Sequence, residues 1–484
     1  MSTEKEYRTH QILIKKGHRM FPYFQEMTQN AKNMYNTTNF YVRQVYTALK
    51  NNKELQPLQK QVLNELHVHL PLMNETQKKA YEKKKLAELK KPEDKRKKVT
   101  LKTFDMPTEK TAFLSYNFLD ALFKDMAQND YRSLPAQSAQ AVMKKVMDNW
   151  KSFFKSNEDY KQNPSKYTGK PRIPRYIKKN EKEVYFSNQD CVIKENRFLK
   201  FPKTKDKLNI GKLAKVEGKL KEVRVIPVYN HYKVECVFEV ETSEMKDVVP
   251  TRMMSIDLGI DNLATIVTNT GMNPVLVKGK HVKSINAYYN KLKGHYQGVL
   301  RQGKGEKEGP FTSKRLEKIH EKRHLKIKDI FHKVSFQIVS LAEDERIDTI
   351  IIGHNKNWKQ SSNMGRRNNQ NFCSIPRSLL IEMIQYKAKQ RGIKVEVIEE
   401  SYTSKASFLD DDFIPTYVAN SNANYKFFGV REKRGLYIAA TGEKINADVN
   451  GSANIMKKYV LNHLKEAFFH ISSVCVKQPN SLQV

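Results

Sequence analysis

The sequence predicts a multidomain α+β protein in which a small antiparallel barrel, split by an inserted helical domain, is followed by an α/β domain. A short apolar strand at residues 9–16 has no partner strand next to it in the sequence. Helical periodicity then dominates from residue 21 to about residue 153, and short alternating strands return at residues 183–240. The first strand must therefore pair across the helical insertion, so that one domain is discontinuous in sequence.

The large excess of basic residues indicates what kind of molecule this protein binds. The 484 residues include 87 Lys and Arg against 52 Asp and Glu, which gives a formal net charge of +35. This excess is far larger than solubility requires and indicates a polyanionic partner, foremost nucleic acid.

Three absences in the sequence exclude other classes of protein. No apolar run approaches the length of a membrane span, and the N-terminus lacks the apolar core of a signal peptide. The four cysteines are scattered along the chain. These features predict a cytoplasmic protein with neither a disulfide framework nor a cysteine zinc site.

A stretch at residues 151–179 interleaves basic and aromatic side chains with proline and glycine. Pro171 and Pro174 predict an extended, non-helical track. Such a track can lay cations along a phosphate backbone while Tyr167 or Tyr176 stacks on a base. A solvated basic loop is the alternative for any single residue. The nucleic-acid-binding residues predicted here are Lys170, Arg172, Arg175 and Tyr176.

The stretch Met253 to Thr268 is predicted to form a strand, a turn and a second strand. Asp257 interrupts an apolar run that is typical of a strand buried on both faces. A carboxylate is costly to bury unless it is hydrogen-bonded or held against a cation, so Asp257 is a candidate metal ligand. With a third strand at VLVKG (residues 275–279), this meander predicts the beginning of an RNase H-like sheet.

Two long helices are expected next, the second from about Thr312 to Arg346. The segments IDTIIIG (347–353) and KVEVIEE (394–400) then predict a fourth and a fifth strand joined by a helix. This spacing implies a right-handed parallel crossover, with the carboxyl ends of both strands at one edge of the sheet.

Acidic residues fall at the positions where these elements end or begin. The fifth strand is expected to end in Glu399 and Glu400, and Asp448 is expected to lie just before a helix that starts near Asn450. Together with Asp257 on the first strand, carboxylates at these places can converge on one pair of divalent cations.

Four motifs in order resemble the RuvC-like nuclease of TnpB proteins, which are transposon-encoded RNA-guided DNA endonucleases related to the miniature type V CRISPR effectors. The motifs are SIDLGIDNLATIVTNTG, IIIGHNKNWKQ, PRSLLIEMIQYKAKQRGIKVEVIEESYTSKASFLD and KINADVNGSANI. The resemblance extends over the whole chain. It implies a split wedge barrel with an inserted helical recognition domain, followed by an RNase H-like (RuvC) α/β nuclease domain with a small insertion.

The resemblance also implies domain bounds. They are residues 1–19 and 156–250 for the wedge barrel, 20–155 for the helical recognition domain, 251–403 and 446–484 for the nuclease domain with its tail, and 404–445 for a target-nucleic-acid-binding insertion.

By the same resemblance Asp257 and Asp448 match the first and last catalytic acids of the family. At the position of the family's second catalytic acid, this sequence differs. Gly353 stands where the family commonly has glutamate. One hypothesis moves the acid to Glu400, which is geometrically possible because adjacent parallel strands end at the same edge; Glu399 is the nearest competitor. The other hypothesis is a nuclease-inactive RNA-guided DNA-binding protein that acts as a repressor. We favour the relocated acid because both aspartates are retained.

The resemblance implies two Mg²⁺ ions held by Asp257, Glu400 and Asp448, a bound guide RNA, and a double-stranded DNA target recognised beside a short flanking motif. A junction resolvase, which would need no RNA, is a third possibility. The loop after the fourth strand is expected to contact nucleic acid near the cut site through Trp358, Lys359, Arg366 and Arg367.

The insertion lacks the paired cysteines that relatives often carry after the TSK segment. We therefore expect no structural zinc, and expect packing to hold the insertion together.

Overall fold

The computed structural model describes residues 3–51, 54–243, 249–355, 375–417, 424–464 and 474–482. The chain forms two compact units, Met1–Glu244 and Met245–Val484. Each contains helices packed on sheets, which confirms the mixed α+β class. The finer division into a wedge barrel, a recognition domain and a nuclease domain stays a prediction.

The first unit begins with strand β1 (Thr3–Lys15), and helices follow. The helices are α1 (Phe21–Lys50), α2 (Pro57–Leu89), α3 (Tyr116–Asp125), α4 (Asn129–Ser133) and α5 (Ala136–Gln162). The helical periodicity of the sequence accounts for their core, in which Trp150 is fully buried and donates its indole N–H to Asn39 Oδ1 at 2.9 Å. Pro135, with an extended backbone (ψ 143°), is the N-cap residue that directly precedes α5.

The strands of the first unit form two sheets. They are β2 (Val184–Ser187), β3 (Val192–Lys194), β4 (Phe198–Lys200), β5 (Lys207–Asn209), β6 (Lys219–Val228) and β7 (His231–Ser243). One sheet has the order β1-β7-β6-β2 and the other the order β3-β4-β5.

Strand β1 pairs antiparallel with β7, from Thr3 opposite Ser243 to Lys15 opposite His231. This confirms that the first strand pairs across the helical insertion. Strands β6 and β7 form an antiparallel hairpin within the region of alternating strands predicted at residues 183–240. The three-residue strands β3 and β5 could not be predicted individually, because they are too short to show an alternating pattern.

In the part of the chain that the structure describes, the main sheet of the second unit has six strands, which are β8 (Met253–Asp257), β9 (Asn262–Thr268), β10 (Val275–Lys278), β11 (Thr349–Gly353), β12 (Lys394–Ile398) and β16 (Asn480–Leu482). Their order in the sheet is β12-β11-β8-β9-β10-β16. Strands β8, β9 and β10 form the predicted antiparallel meander. Strands β8, β11 and β12 run parallel, as the crossover requires.

The helices of this unit are α6 (Lys280–Arg301), α7 (Lys314–Asp344), α8 (Arg377–Lys389) and α9 (Ala447–His463). A small sheet is formed by β13 (Val430–Lys433), β14 (Leu436–Ile438) and β15 (Lys444–Ile445). Helix α9 starts at Ala447 rather than near Asn450, because Asn446 caps it. Asp448 therefore lies within the first turn and not before the helix.

None of the helices that the structure describes is long and apolar enough to cross a membrane.

Candidate active site

The parallel strands β8, β11 and β12 bring three chain positions to one edge of the sheet. Asp257 ends β8, Gly353 ends β11 opposite Ile398, and Glu399 and Glu400 directly follow β12. Because β11 lies between the other two strands, a side chain from the end of β12 must cross Gly353 to approach Asp257.

Gly353 provides the space for that crossing. A Cβ atom at residue 353 would lie 2.6 Å from Glu400 Oε2, 3.1 Å from Glu400 Cβ and 2.5 Å from Ile455 Cδ1. Carbon–oxygen contacts this short are repulsive. The Glu400 side chain thus occupies the volume that any side chain at position 353 would need, and the two positions cannot both carry one in the present packing.

The first turn of α9 positions Asp448. Asn446 caps the helix, its side chain accepting from the backbone N–H groups of Asp448 (2.9 Å) and Val449 (3.2 Å). The Asp448 carboxylate accepts from Asn262 Nδ2 at 2.8 Å and from Arg431 Nη2 at 3.1 Å. Strand β9, the helix terminus and the small sheet together fix this carboxylate.

Small residues let α9 approach the sheet closely. A Cβ at Gly451 would lie 2.9 Å from Asp257 Oδ2. The neighbouring Ser452 hydroxyl donates to the backbone oxygens of Ser255 (3.2 Å) and Thr265 (3.1 Å). The packing of α9 on β8 and β9 therefore places Asp448 and Asp257 in one partly buried region.

Two buried asparagines of α9, one helical turn apart, hold the chain after Glu400. Asn450 Nδ2 donates to the Ala406 carbonyl at 2.8 Å, and Asn454 Nδ2 donates to the carbonyls of Thr403 (2.9 Å) and Ala406 (2.7 Å). These bonds satisfy loop carbonyls that would otherwise be buried without partners. Helix α9 thereby positions the loop that carries Glu400.

The carboxylates perturb one another. Burial, followed by the charge of Asp448, raises the pKa of Asp257. Burial, followed by the charge of Asp257, raises the pKa of Glu400. The Arg377 guanidinium, itself only 4% exposed, opposes both shifts. Asp257 therefore takes part in both interactions, since the charge of Asp448 acts on it and its own charge acts on Glu400.

The donor set suits a hard divalent cation, since it consists of carboxylate oxygens and carries excess buried negative charge. Among the residues that the structure describes, no three acidic, histidine or cysteine side chains form a single cluster able to hold a metal ion. Instead, pairwise electrostatic interactions connect Asp257 with Asp448 and with Glu400.

Glu399 has a different environment from Glu400. Its carboxylate accepts from the Ser401 backbone N–H at 2.8 Å and pairs with the Lys458 ammonium. Lys458 is 4% exposed and also donates to the carbonyls of Ser401 and Pro415, each at 3.2 Å. Glu399 thus neutralises a buried ammonium group.

Replacing Glu399 should therefore affect stability more than chemistry. We expect Glu399→Gln to lower the free energy of unfolding by about 1–3 kcal/mol, because Lys458 stays buried with a weaker partner. The matched control Glu443→Gln removes a carboxylate of similar exposure (39% against 37%) that pairs with the exposed Lys477, and should cost less than about 0.5 kcal/mol. Thermal melts and DNA cleavage are to be measured together. Loss of cleavage in a stable Glu399→Gln protein would make Glu399 the relocated acid.

The raised pKa of Glu400 predicts a pH dependence of stability in EDTA. A carboxyl group whose pKa rises on folding binds its proton more tightly in the native state. The stability that this proton contributes is present at low pH and is lost as the pH rises above the ordinary glutamate value of about 4.3. We expect the free energy of unfolding to fall by roughly 1–3 kcal/mol between about pH 5 and about pH 8. Thermal melts of Glu400→Gln should show a smaller decline in stability over this pH range than those of the wild type. An equal decline in the variant and the wild type would show that Glu400 is not the group responsible.

The predicted basic track is exposed and is held along α1. Lys170, Arg172, Arg175 and Tyr176 are all exposed. Asn39 and Arg43 donate to the Pro174 carbonyl at 3.1 and 2.6 Å. Arg43 also lies over the Tyr176 ring, 5.0 Å from its centroid. The other four predicted nucleic-acid contacts, Trp358, Lys359, Arg366 and Arg367, lie outside the described residues.

The insertion is held by buried polar bonds in addition to packing. Asp412 accepts from the backbone N–H groups of Ser407 (2.7 Å) and Phe428 (3.2 Å), and Lys457 donates to the Asp412 carbonyl at 2.8 Å. Tyr437 and Ile445 pack into a core shared with α9. The expectation of packing alone was incomplete, because it overlooked the run of aspartates at residues 410–412.

Sequence reasoning also missed Arg377 and Arg431. Arg377 follows Pro376 at a buried position of an apolar helix, and a charge at such a position is a usable signal. Arg431 lies on a short exposed strand with no pattern that would connect it to Asp448.

Two family models match the chain. One, described as a probable transposase (OrfB_IS605), matches residues 235–359, and the other, the Cas12f1-like TNB domain, matches residues 378–455. The second match includes the whole predicted insertion.

A curated relative and solved structures are also similar. The TnpB-like protein ORF457 of Acidianus two-tailed virus is 25% identical over 374 residues, covering 69% of this chain and 76% of the relative. A Cas12f1-sgRNA-target DNA complex has a TM-score of 0.29 at 12% identity, over 93% of this chain and 98% of that chain. Alicyclobacillus acidoterrestris C2c1 with single-guide RNA has a TM-score of 0.30 at 10% identity, over 89% and 69% of the two chains.

Proposed function

Because this chain belongs to the TnpB family, which is related to the type V CRISPR effectors, we propose that it is an RNA-guided DNA endonuclease with a RuvC-like two-metal site. The observation that carries the proposal is that the Glu400 side chain lies over Gly353 and interacts electrostatically with Asp257, on which the charge of Asp448 in the first turn of α9 also acts. A lost glutamate alone would favour a guided binder that does not cut. A glutamate that occupies the vacated volume argues against that alternative.

We assign Asp257, Glu400 and Asp448 as metal ligands and catalytic residues. Together these three carboxylates would hold two Mg²⁺ ions. When bound, these ions would lower the pKa of an attacking water and stabilise the leaving oxygen of a phosphodiester, giving a 3′-hydroxyl and a 5′-phosphate. Arg377 would offset part of the negative charge when the cations are absent.

The remaining features fit a ribonucleoprotein. Base pairing with a guide RNA would read the DNA sequence, while the protein recognises heteroduplex shape and a short flanking motif. The net charge of +35 would neutralise part of the phosphate charge of the guide RNA and the two DNA strands. The exposed track of Lys170, Arg172, Arg175 and Tyr176 would contribute backbone contacts.

Guided cleavage by the purified protein with its copurified RNA tests this function. The RNA is sequenced, and a matching target in a plasmid library with randomised flanks is incubated with Mg²⁺ or with EDTA. We expect Mg²⁺-dependent cuts beside one flanking motif. Tight guided binding without cuts would support the repressor instead, and cleavage that survives removal of the RNA would support a protein-guided enzyme.

A further inference from the structure

A cleft of about 380 Å³ lies between α6 and α7. None of the residues that line it belongs to the candidate active site. Its walls come from the two helices and differ in chemistry.

The α6 wall is aromatic and aliphatic. Ile285, Tyr289, Leu292 and Tyr296 line the cleft at helical spacing, and Tyr288 lies beside them. The ring of Tyr289 is fixed by a 2.7 Å hydrogen bond between its hydroxyl and His320 Nδ1. Tyr288 is 63% exposed, so a planar ring is available to a ligand in the cleft.

The α7 wall is cationic apart from Ile319. Arg315, Lys318, Lys322 and Lys326 follow one another at three- and four-residue steps, and so share one face of the helix. At 1.5 Å per residue they extend over about 16 Å. Arg323, the fifth cation, lies 4.9 Å from the centroid of the Tyr289 ring. None of the described residues that line the cleft is acidic.

An aromatic wall that faces a row of cations is complementary to a nucleotide, which has a planar base and negatively charged phosphates. A base has a planar face that stacks on tyrosine, and its phosphates pair with Lys and Arg. A base inside a duplex presents only its edge, whereas an unpaired base presents its face. Ordinary packing of two helices would close the space between them, but this cleft is open and large enough for a ligand.

We propose that the cleft between α6 and α7 binds an unpaired nucleotide of single-stranded nucleic acid, with its base against the tyrosines of α6 and its phosphates along α7. The proposal rests on the proposed function in that nucleic acid is the partner. It adds a binding site that is selective for unpaired nucleotides and that shares no residue with the candidate active site. The same chemistry would suit guide RNA or a displaced DNA strand.

The test uses the full chain, freed of nucleic acid at high salt, and short RNA and DNA strands with a central 2-aminopurine, whose fluorescence is quenched by stacking. We expect quenching by the wild type and by Tyr288→Phe. Tyr288→Ala should lose the quenching and bind about tenfold more weakly. The control Tyr7→Ala removes a tyrosine of similar exposure (59%) on strand β1, in the first unit and outside the cleft, and should bind as the wild type does.

The cations are tested by salt dependence. Lys318→Gln with Lys322→Gln should reduce the slope of log affinity against log salt by about 1.4, the release expected for two phosphate contacts on a single strand. If the RNA strand binds more tightly than the DNA strand, the site is assigned to the guide RNA. If the DNA strand binds as tightly as the RNA strand or more tightly, the site is assigned to the displaced DNA strand.

If Tyr288→Ala shows the quenching and the affinity of the wild type, the proposed nucleotide-binding site is refuted. The assay needs neither cleavage nor a divalent cation, so its result is independent of nuclease activity. Loss of guided cleavage in the wild type with quenching retained would refute only the proposed function.

Discussion

Glu400→Gln is expected to lower guided DNA cleavage by more than about 100-fold, which exceeds the usual effect of changing a residue that merely supports a metal ligand. The substitution keeps the size of the side chain and its place over Gly353 but removes the negative charge that a cation needs. Binding of the matched target should stay within about threefold of the wild type, since base pairing and backbone contacts carry affinity. Cleavage kinetics and filter binding on the same preparation measure both quantities.

Glu399→Gln is the matched control, because it removes the neighbouring carboxylate with the same change of charge. Its cleavage should stay close to that of the wild type once its lower stability is taken into account. Equal cleavage by Glu400→Gln and the wild type would show that the chain cuts DNA without this residue, and the proposed site would be wrong.

Gly353→Ala is expected to reduce cleavage by about 100-fold, although residue 353 carries no functional group. The new methyl would lie 2.6 Å from Glu400 Oε2 and 3.1 Å from Glu400 Cβ. The carboxylate must move by roughly 1 Å to restore normal contact, and a displacement of that size costs about 100-fold in well-ordered active sites. Stability should fall by only about 1–3 kcal/mol, because the ends of Glu400 and Ile455 can shift.

Gly294→Ala provides the control for an added methyl group. Gly294 lies in α6, and a Cβ atom added there would have no heavy atom within 4 Å beyond its own helix. Alanine should therefore be neutral or stabilise the helix by up to about 1 kcal/mol. Single-turnover cleavage and thermal melts of both variants separate a displaced carboxylate from a general loss of folding. Normal cleavage by Gly353→Ala would mean that catalysis does not depend on the position of the Glu400 carboxylate.

Five of the six described strands in the main sheet of the second unit could be predicted, because the ends of its parallel strands have local signals; the three-residue strand β16 was not predicted. Asp257 interrupts an apolar run, Gly353 ends another, and two glutamates follow the third. The parallel crossover then places these ends at one edge. Which of Glu399 and Glu400 turns inward could not be read from adjacent identical residues, because it depends on Lys458, a residue of α9 that is 59 positions away.

Other parts of the site depend on contacts between distant segments. Arg431 reaches Asp448 from a strand of only four residues, and Asn450 and Asn454 support a loop more than 40 residues earlier in the chain. Polar residues in a helix interior look alike in sequence whether they face solvent or a buried loop. Only the packing of α9 against the sheet distinguishes these cases.

A metal-specificity switch at position 400 tests the central claim most directly. A thiolate is a soft ligand that prefers softer cations to Mg²⁺. If Glu400 binds a catalytic cation, Glu400→Cys should lose cleavage with Mg²⁺ and recover by at least about tenfold with Cd²⁺, while Glu399→Cys cleaves with Mg²⁺. Cleavage by Glu400→Cys with Mg²⁺ at the rate of the wild type would contradict the claim.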